Sequence, residues 1–395
     1  MTPPPRTLVV CCDGTFNNTD NVDKLTNVYK IFSSLCGRPN NTDTKVTHGV
    51  KTIQFQSLMQ SGLYISGVGT EVVGLKHVLY GILGRGILSR ILLGYLYLST
   101  NFTPRETQIV LVGFSRGAYT ARALAEFICT VGLLPPGIAQ SASGHYEALR
   151  MWTAYRRNDR SIARFTRVCE SIGGTLPEWV ASVRKFPSVL WRRGAVTPAQ
   201  VRVEIHALAV FDTVGALGLG SLWETVSESM ALRAGREDRF KYATSDVHAN
   251  VRHIFHAVSR DDTRWSYAPT VVDPAHLSRS TILTQQLFPG SHADVGGGWS
   301  SAYDPRNPHL YESALSDVVL LWMIEQLRAV GVTLRNGAIF TFPNPLGVAH
   351  HNGDVPDILQ KPRELPLHLV NSPSGCLLAR FGKMVLTDGR VSKYV

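Results

Sequence analysis

The 395-residue sequence has no cysteines or histidines paired at the spacing of a zinc site, no Gly-rich loop ending in Lys-Ser or Lys-Thr, no dinucleotide-binding fingerprint, no internal repeat and no low-complexity tract. These absences argue against a structural zinc module, a nucleotide-dependent enzyme and a solenoid, and no cofactor is expected; no metal ligand is assigned, although the loop of Asp13 and Asn17 could hold an ion. The six cysteines are Cys11, Cys12, Cys36, Cys129, Cys169 and Cys376. Cys11 and Cys12 sit in an apolar run and Cys129 in a helical pattern, where a thiol behaves as a small buried apolar group, so reduced cysteines are expected. Long uninterrupted apolar stretches are also missing. The most apolar segment, 75–98, is broken by Lys76, His77, Arg85 and Arg90, which reads as a buried helix or helix pair rather than a membrane span. The opening Met1-Thr2-Pro3-Pro4-Pro5-Arg6 lacks the basic, apolar and small-residue regions of a secretory leader, and a cytoplasmic location is the expectation.

What is present suits a folded enzyme: hydrophobic residues make up 44% and charged residues 18% of the chain. The net charge of +10 is uneven, because residues 137–200 hold ten Arg or Lys against four acids. Tyr146, Trp152, Tyr155, Phe165, Trp179, Phe186 and Trp191 are threaded between those arginines. The expected organisation is a single domain over 1–395 with 137–200 as a basic, Trp-containing helical cap. Arginine attracts anionic headgroups and tryptophan favours the interface, so peripheral contact with an anionic membrane is one reading of this insertion; an ordinary solvated cap is the other. No nucleic-acid recognition motif accompanies the charge. The oligomeric state is not legible.

Thr7-Leu8-Val9-Val10-Cys11-Cys12 is a continuous apolar run closed by Asp13-Gly14-Thr15, the pattern of a strand buried on both faces. Asn27 is placed to cap a helix through Val28, Ile31, Phe32 and Leu35. A strand ending near Tyr64-Ile65, the apolar helical region and the buried strand Gln108-Ile109-Val110-Leu111-Val112 follow. Leu124, Phe127, Ile128 and Val131 then mark a helix stopped by Gly132. Beyond the cap, strands are expected at 203–211, 251–258 and 281–288, then a core helix through Leu315, Val319, Trp322 and Leu327. The alternation predicts an α/β fold with a mostly parallel central sheet flanked by helices, and the Gly-x-Ser-x-Gly motif at 113–117 makes the expectation α/β-hydrolase-like.

Gly113-Phe114-Ser115-Arg116-Gly117 joins a buried strand to a helix, the turn that a nucleophile elbow requires. A serine hydroxyl needs a histidine to take its proton and an acid to hold the imidazole in the useful tautomer. In the order Ser, acid, His, the candidates are Ser115, Asp212 and His292, each just past a strand end, where side chains reach one edge of the sheet. Asp246, Asp261 and Asp294 are alternatives for the acid, whereas His206, His253 and His256 lie within strands and read as packing residues. For the oxyanion, Arg116 offers the backbone N–H after the nucleophile, and Gly14 with Thr15 offers a second loop. Asp13 is expected to hold that loop by hydrogen bonding. Asp13-Gly14-Thr15 also ends the Asp-x-Asp-Gly-Thr signature of haloacid-dehalogenase-type phosphatases, but Cys11 stands where their nucleophilic aspartate would be.

Taken in order, Asp13-Gly14-Thr15 with Asn17 and Asn18, Gly67-Val68-Gly69-Thr70, the elbow through Arg122, Phe211-Asp212-Thr213-Val214-Gly215, His256-Ala257 with Arg260-Asp261-Asp262, and Gly290-Ser291-His292-Ala293-Asp294-Val295-Gly296-Gly297-Gly298 resemble the α/β-hydrolase domain family that includes the catalytic domains of type VI secretion phospholipase effectors. The resemblance implies a Ser115–Asp212–His292 triad and a lipid or phospholipid ester substrate. It departs at Asp261-Asp262, where the family more often has Asp-Glu, and no appended delivery domain is recognised, so the expectation is an intracellular serine ester hydrolase. The alternative is a hydrolase-fold binding or scaffold protein without catalysis.

Overall fold

A computed structural model describes residues 5–35, 43–68, 85–155, 203–215, 250–300 and 311–335, apart from a few single positions, with scattered residues outside these ranges up to 350. The apolar run at the start becomes β1 (Arg6–Cys12), whose side chains are buried from Thr7 onward on both faces. Next come α1 (Asn27–Ser34), β2 (Asp43–Thr47), β3 (Val50–Gln56), β4 (Gln60–Ile65), α2 (Arg85–Asn101), β5 (Thr107–Phe114) and α3 (Arg116–Val131). The chain continues through α4 (Pro136–Ala139), α5 (Gly144–Tyr155), β6 (Ile205–Phe211), β7 (Val251–Ser259), β8 (Ile282–Phe288), α6 (His292–Gly296) and α7 (Ala314–Ala329).

The strands form one eight-stranded sheet in the order β2-β3-β4-β1-β5-β6-β7-β8. From β4 to β8 all neighbours are parallel, and β2 and β3 are added antiparallel at one edge. This is the expected α/β-hydrolase-like architecture. One face packs Leu8, Val10 and Leu111 against α2, α3 and α5; the other packs Val9, Cys11 and Val110 against α1 and α7. Cover on both faces explains why the central strands read as unbroken apolar runs instead of alternating. On the second face a buried Lys30–Asp317 ion pair of 2.8 Å, with Tyr311 Oη donating to the same carboxylate, ties α1 to α7.

The sequence reading needs three amendments here. Thr26, not Asn27, caps α1, accepting from the Tyr29 N–H, while the Asn27 amide donates to the carbonyls of Val295 and Ser316. The β2–β3 hairpin was not anticipated: β2 is mostly exposed, and its tight turn carries Gly49 at φ 79°. Trp152, assigned to the cap, is 1% exposed and lies edge-on to Phe127 at 5.1 Å, so α5 belongs to the flank of the sheet. The remainder of the expected cap, 156–200, with Trp179, Trp191, Arg192 and Arg193, lies outside the described residues.

Arg90, in the middle of α2, is buried and donates to the carbonyls of Ser66 and Gly67, so a charge in the apolar segment fastens the loop after β4. Among the described residues, no helix is long and apolar enough to cross a membrane.

Candidate active site

The chain must turn sharply between β5 and α3, and the two glycines of the elbow allow it. A Cβ on Gly117 would stand 2.2 Å from the Cys12 carbonyl oxygen, and one on Gly113 would stand 2.6 Å from the Ala118 Cα. Between them Ser115 adopts φ 57° and ψ −124°, a left-handed φ costly for a residue with a side chain, and two hydrogen bonds, one to the end of β6 and one to the loop after it, hold it there. Its N–H donates to the Phe211 carbonyl at 3.0 Å, and its carbonyl accepts from the Val214 N–H at 3.4 Å.

Strand register delivers the acid to the same edge. Phe114 pairs with Phe211 and Phe211 with Ala257, so Ser115 and Asp212 occupy equivalent positions one residue past their strands. Asp212 also has a positive φ, 36°, and is fully buried. Its N–H donates to the Ala257 carbonyl, one carboxylate oxygen accepts from the Ser259 N–H at 2.9 Å, and the other lies 2.6 Å from His292 Nδ1. A carboxylate only accepts, so Nδ1 carries the proton and Nε2 of the neutral ring is left as the basic nitrogen.

His292 is the first residue of α6. A capping box between Ser291 and Asp294 fixes this short helix, and the His292 N–H donates to Asp262 at 3.1 Å. Its ring packs between Phe114 at 4.6 Å and Tyr267 at 4.8 Å between ring centroids. Phe114 also needs Gly296 beneath it, since a Cβ there would stand 2.0 Å from the phenyl ring.

The other acids have different partners. Asp294 caps α6 and accepts from His350, Asp261 accepts from Gly290 N–H and Arg260, and Asp262 pairs with Arg264; Asp246 lies outside the described residues. His256 is buried, bonded through Nδ1 to Gln285 Oε1 and through Nε2 to the Thr213 N–H, a structural role. His206 bonds the Val330 carbonyl and stacks edge-on with His253.

The loop after β1 lies against the elbow and is organised by Asp13. Its carboxylate accepts from Tyr64 Oη at 2.6 Å, from Thr26 Oγ1 and from the Gly14 N–H at 2.7 Å. Burial outweighs these bonds and pushes its pKa up to about 6. The Gly14 N–H is therefore committed to Asp13, which removes it as the expected oxyanion donor. Thr15 is the alternative in the same loop: its Oγ1 is buried and, among the described residues, has no hydrogen-bond partner. Arg116 occupies the first position of α3, where backbone N–H groups lack intrahelical acceptors.

Burial raises the Cys12 thiol to about 12 and the Cys11 thiol well above its ordinary value, so both are inert apolar groups. Among the described residues, no group of three or more His, Cys, Asp or Glu side chains could hold a metal ion. Tyr267, Arg264 and Asp262 were not singled out as site residues by the sequence. Asp262 alone carried a signal, its place beside Asp261 in the family pattern.

The family profile described as the type VI secretion system phospholipase effector Tle1-like catalytic domain matches residues 6–326. An uncharacterized protein of Saccharomyces cerevisiae is 23% identical over 85% of this chain, and the chain spans 59% of its length. A solved structure of an uncharacterized protein from Pseudomonas aeruginosa has 16% identity and a TM-score of 0.42, covering 84% of this chain and 46% of that one. A Tle1 effector bound to the VgrG spike of the type 6 secretion system has 15% identity and a TM-score of 0.38, covering 77% and 53%. An inhibited esterase B from Lactobacillus rhamnosis has 14% identity and a TM-score of 0.33, covering 83% and 78%. With its profile match running through most of the sequence, the chain belongs to the family of type VI secretion phospholipase effector Tle1-like catalytic domains.

Proposed function

We propose that the protein is a serine ester hydrolase acting on lipid or phospholipid esters through Ser115, Asp212 and His292. The observation that carries this reading is the 2.6 Å contact of Asp212 with His292 Nδ1, beside an elbow that strains Ser115. Ser115 Oγ attacks the ester carbonyl carbon while His292 Nε2 takes its proton, and the imidazolium formed is stabilised by Asp212. The carbonyl oxygen becomes an oxyanion that takes hydrogen bonds from the Arg116 N–H and from Thr15. Collapse breaks the ester C–O bond, His292 protonates the departing alcohol, and Ser115 is left acylated. Water, deprotonated by the same nitrogen, releases the carboxylic acid and restores the enzyme. The lipid substrate class is taken from the family to which the chain belongs.

A fluorophosphonate probe tests the nucleophile, because it phosphonylates only an activated serine. Wild-type protein takes up label at Ser115, and Ser115→Ala loses label together with at least about 10^4-fold of its esterase rate. Folded wild type that stays unlabelled, or Ser115→Ala with full activity, refutes the proposal and leaves a hydrolase-fold scaffold in its place.

A further inference from the structure

Arg116 lends its backbone to the oxyanion site, and its side chain has no part in that chemistry. Arg116 as a whole is only partly exposed. Among the described residues, no carboxylate, carbonyl or hydroxyl accepts a hydrogen bond from it, and its electrostatic neighbour is the phenol of Tyr267. Nearby arginines differ. Arg260 lies 2.7 Å from Asp261, and Arg264 lies 2.7 Å from Asp262 while its guanidinium sits 3.6 Å over the Tyr267 ring. Tyr267 in turn contacts the His292 ring. Of these three arginines, the one that no described carboxylate faces adjoins the nucleophile, and it shares a neighbour with the candidate base.

A guanidinium keeps its charge at any physiological pH, and withdrawing it from water without an acceptor is unfavourable. Burial shifts Arg116 below its ordinary value, as loss of water around a cation requires. An anion entering the site with the substrate would supply the missing acceptor, and a phosphate matches the planar fork of donors. In a glycerophospholipid the phosphorus lies a few bonds from each ester carbonyl, within reach of a side chain one residue from the nucleophile.

Resting on the Ser115 reading, we propose that the Arg116 guanidinium binds the headgroup phosphate of a phospholipid while Ser115 attacks the neighbouring acyl ester. Arg116 is then a specificity residue that separates phospholipids from neutral glycerides.

Fluorophosphonate labelling reports first, and separately, whether Ser115 is the nucleophile; the remaining measurements use protein that takes label. On wild type, sn-glycerol 3-phosphate competes with a soluble neutral ester, glycerol does not, and inorganic phosphate competes more weakly. Arg116→Met weakens that competition at least tenfold. It also lowers kcat/KM for dihexanoyl phosphatidylglycerol at least tenfold more than for dihexanoylglycerol, and Arg116→Lys falls between. Absence of competition on wild type overturns the proposal whether or not the variants fold. So does unchanged competition in folded Arg116→Met, or equal loss on the two lipids. Tighter competition by inorganic phosphate than by glycerol 3-phosphate overturns the headgroup assignment.

Discussion

Two aspartate–histidine pairs meet on one five-residue helix, and they have the same contact distance: Asp212 with His292, and Asp294 with His350, each 2.6 Å. Both carboxylates are fully buried. In the first pair α6 supplies the histidine, and in the second it supplies the acid. Asp212 follows a strand adjoining that of Ser115, in a strained backbone conformation. Asp294 is unstrained and also accepts from the Ser291 N–H, the Ser291 hydroxyl and the His350 N–H, which are bonds of a helix cap and of a docked segment. His350 stacks on Trp299 at 3.8 Å. The length of an Asp–His bond therefore does not by itself mark a catalytic pair. Register to the nucleophile and strain held at the strand end distinguish the two pairs.

The largest effect should come from Asp212→Asn. Its side chain can still accept from the Ser259 N–H, so the fold should survive. Its NH2 cannot accept the Nδ1 proton, which leaves the imidazole in the wrong tautomer and lowers kcat by about 10^4-fold. Steady-state kinetics beside a thermal melt check this. A variant that loses stability and keeps its rate would assign Asp212 to the same class as Asp294.

Asp13 extends the comparison to a buried carboxylate without a histidine. Its pKa in the folded protein, about 6, exceeds the ordinary carboxylate value of 3.8, so between these values the folded chain holds a proton the unfolded chain has released. The linked stability is present at pH 4 and lost as the pH rises through about 6, a difference of about 3 kcal/mol. Urea unfolding of wild type and Asp13→Asn from pH 4 to pH 7 should show wild type losing that much relative to the variant. A constant gap between the two curves would mean that Asp13 ionises as an ordinary surface carboxylate does.

The fold was legible where burial is symmetrical. β1 and β5 are covered on both faces, so their composition reports a central parallel strand without help from distant contacts. Ser115 and Asp212 stood out because each follows such a strand directly, whereas His292 comes four residues after β8, a partly exposed strand at the sheet edge. Hidden features depend on partners remote in sequence. Thr26 and Asn27 can each cap a helix, and the carbonyls of Val295 and Ser316 decide which side chain turns away. β2 shows little apolar patterning because it is mostly exposed at a sheet edge. Tyr267, Trp299 and His350 occupy no motif spacing, and the sheet edge alone brings them to α6 and its flank. The Gly14 N–H was misassigned because its acceptor, Asp13, is the residue beside it, a local bond that no periodicity reveals.

The smallest effects belong to the second pair, and they test whether it acts through stability. Asp294→Asn removes a charged acceptor shared by four donors and should cost about 2 kcal/mol, read as a lowered denaturant midpoint. Its kcat should fall far less than that of Asp212→Asn, because Asp294 reaches His292 only through the helix it caps. His350→Ala leaves that cap in place and removes one partly exposed bond and one ring contact, so about 1 kcal/mol is expected. Combining the two changes separates cap from clasp. If His350 acts only through Asp294, the double variant is no less stable than Asp294→Asn alone, whereas additive losses would show that the Trp299 stack holds the segment near His350 by itself.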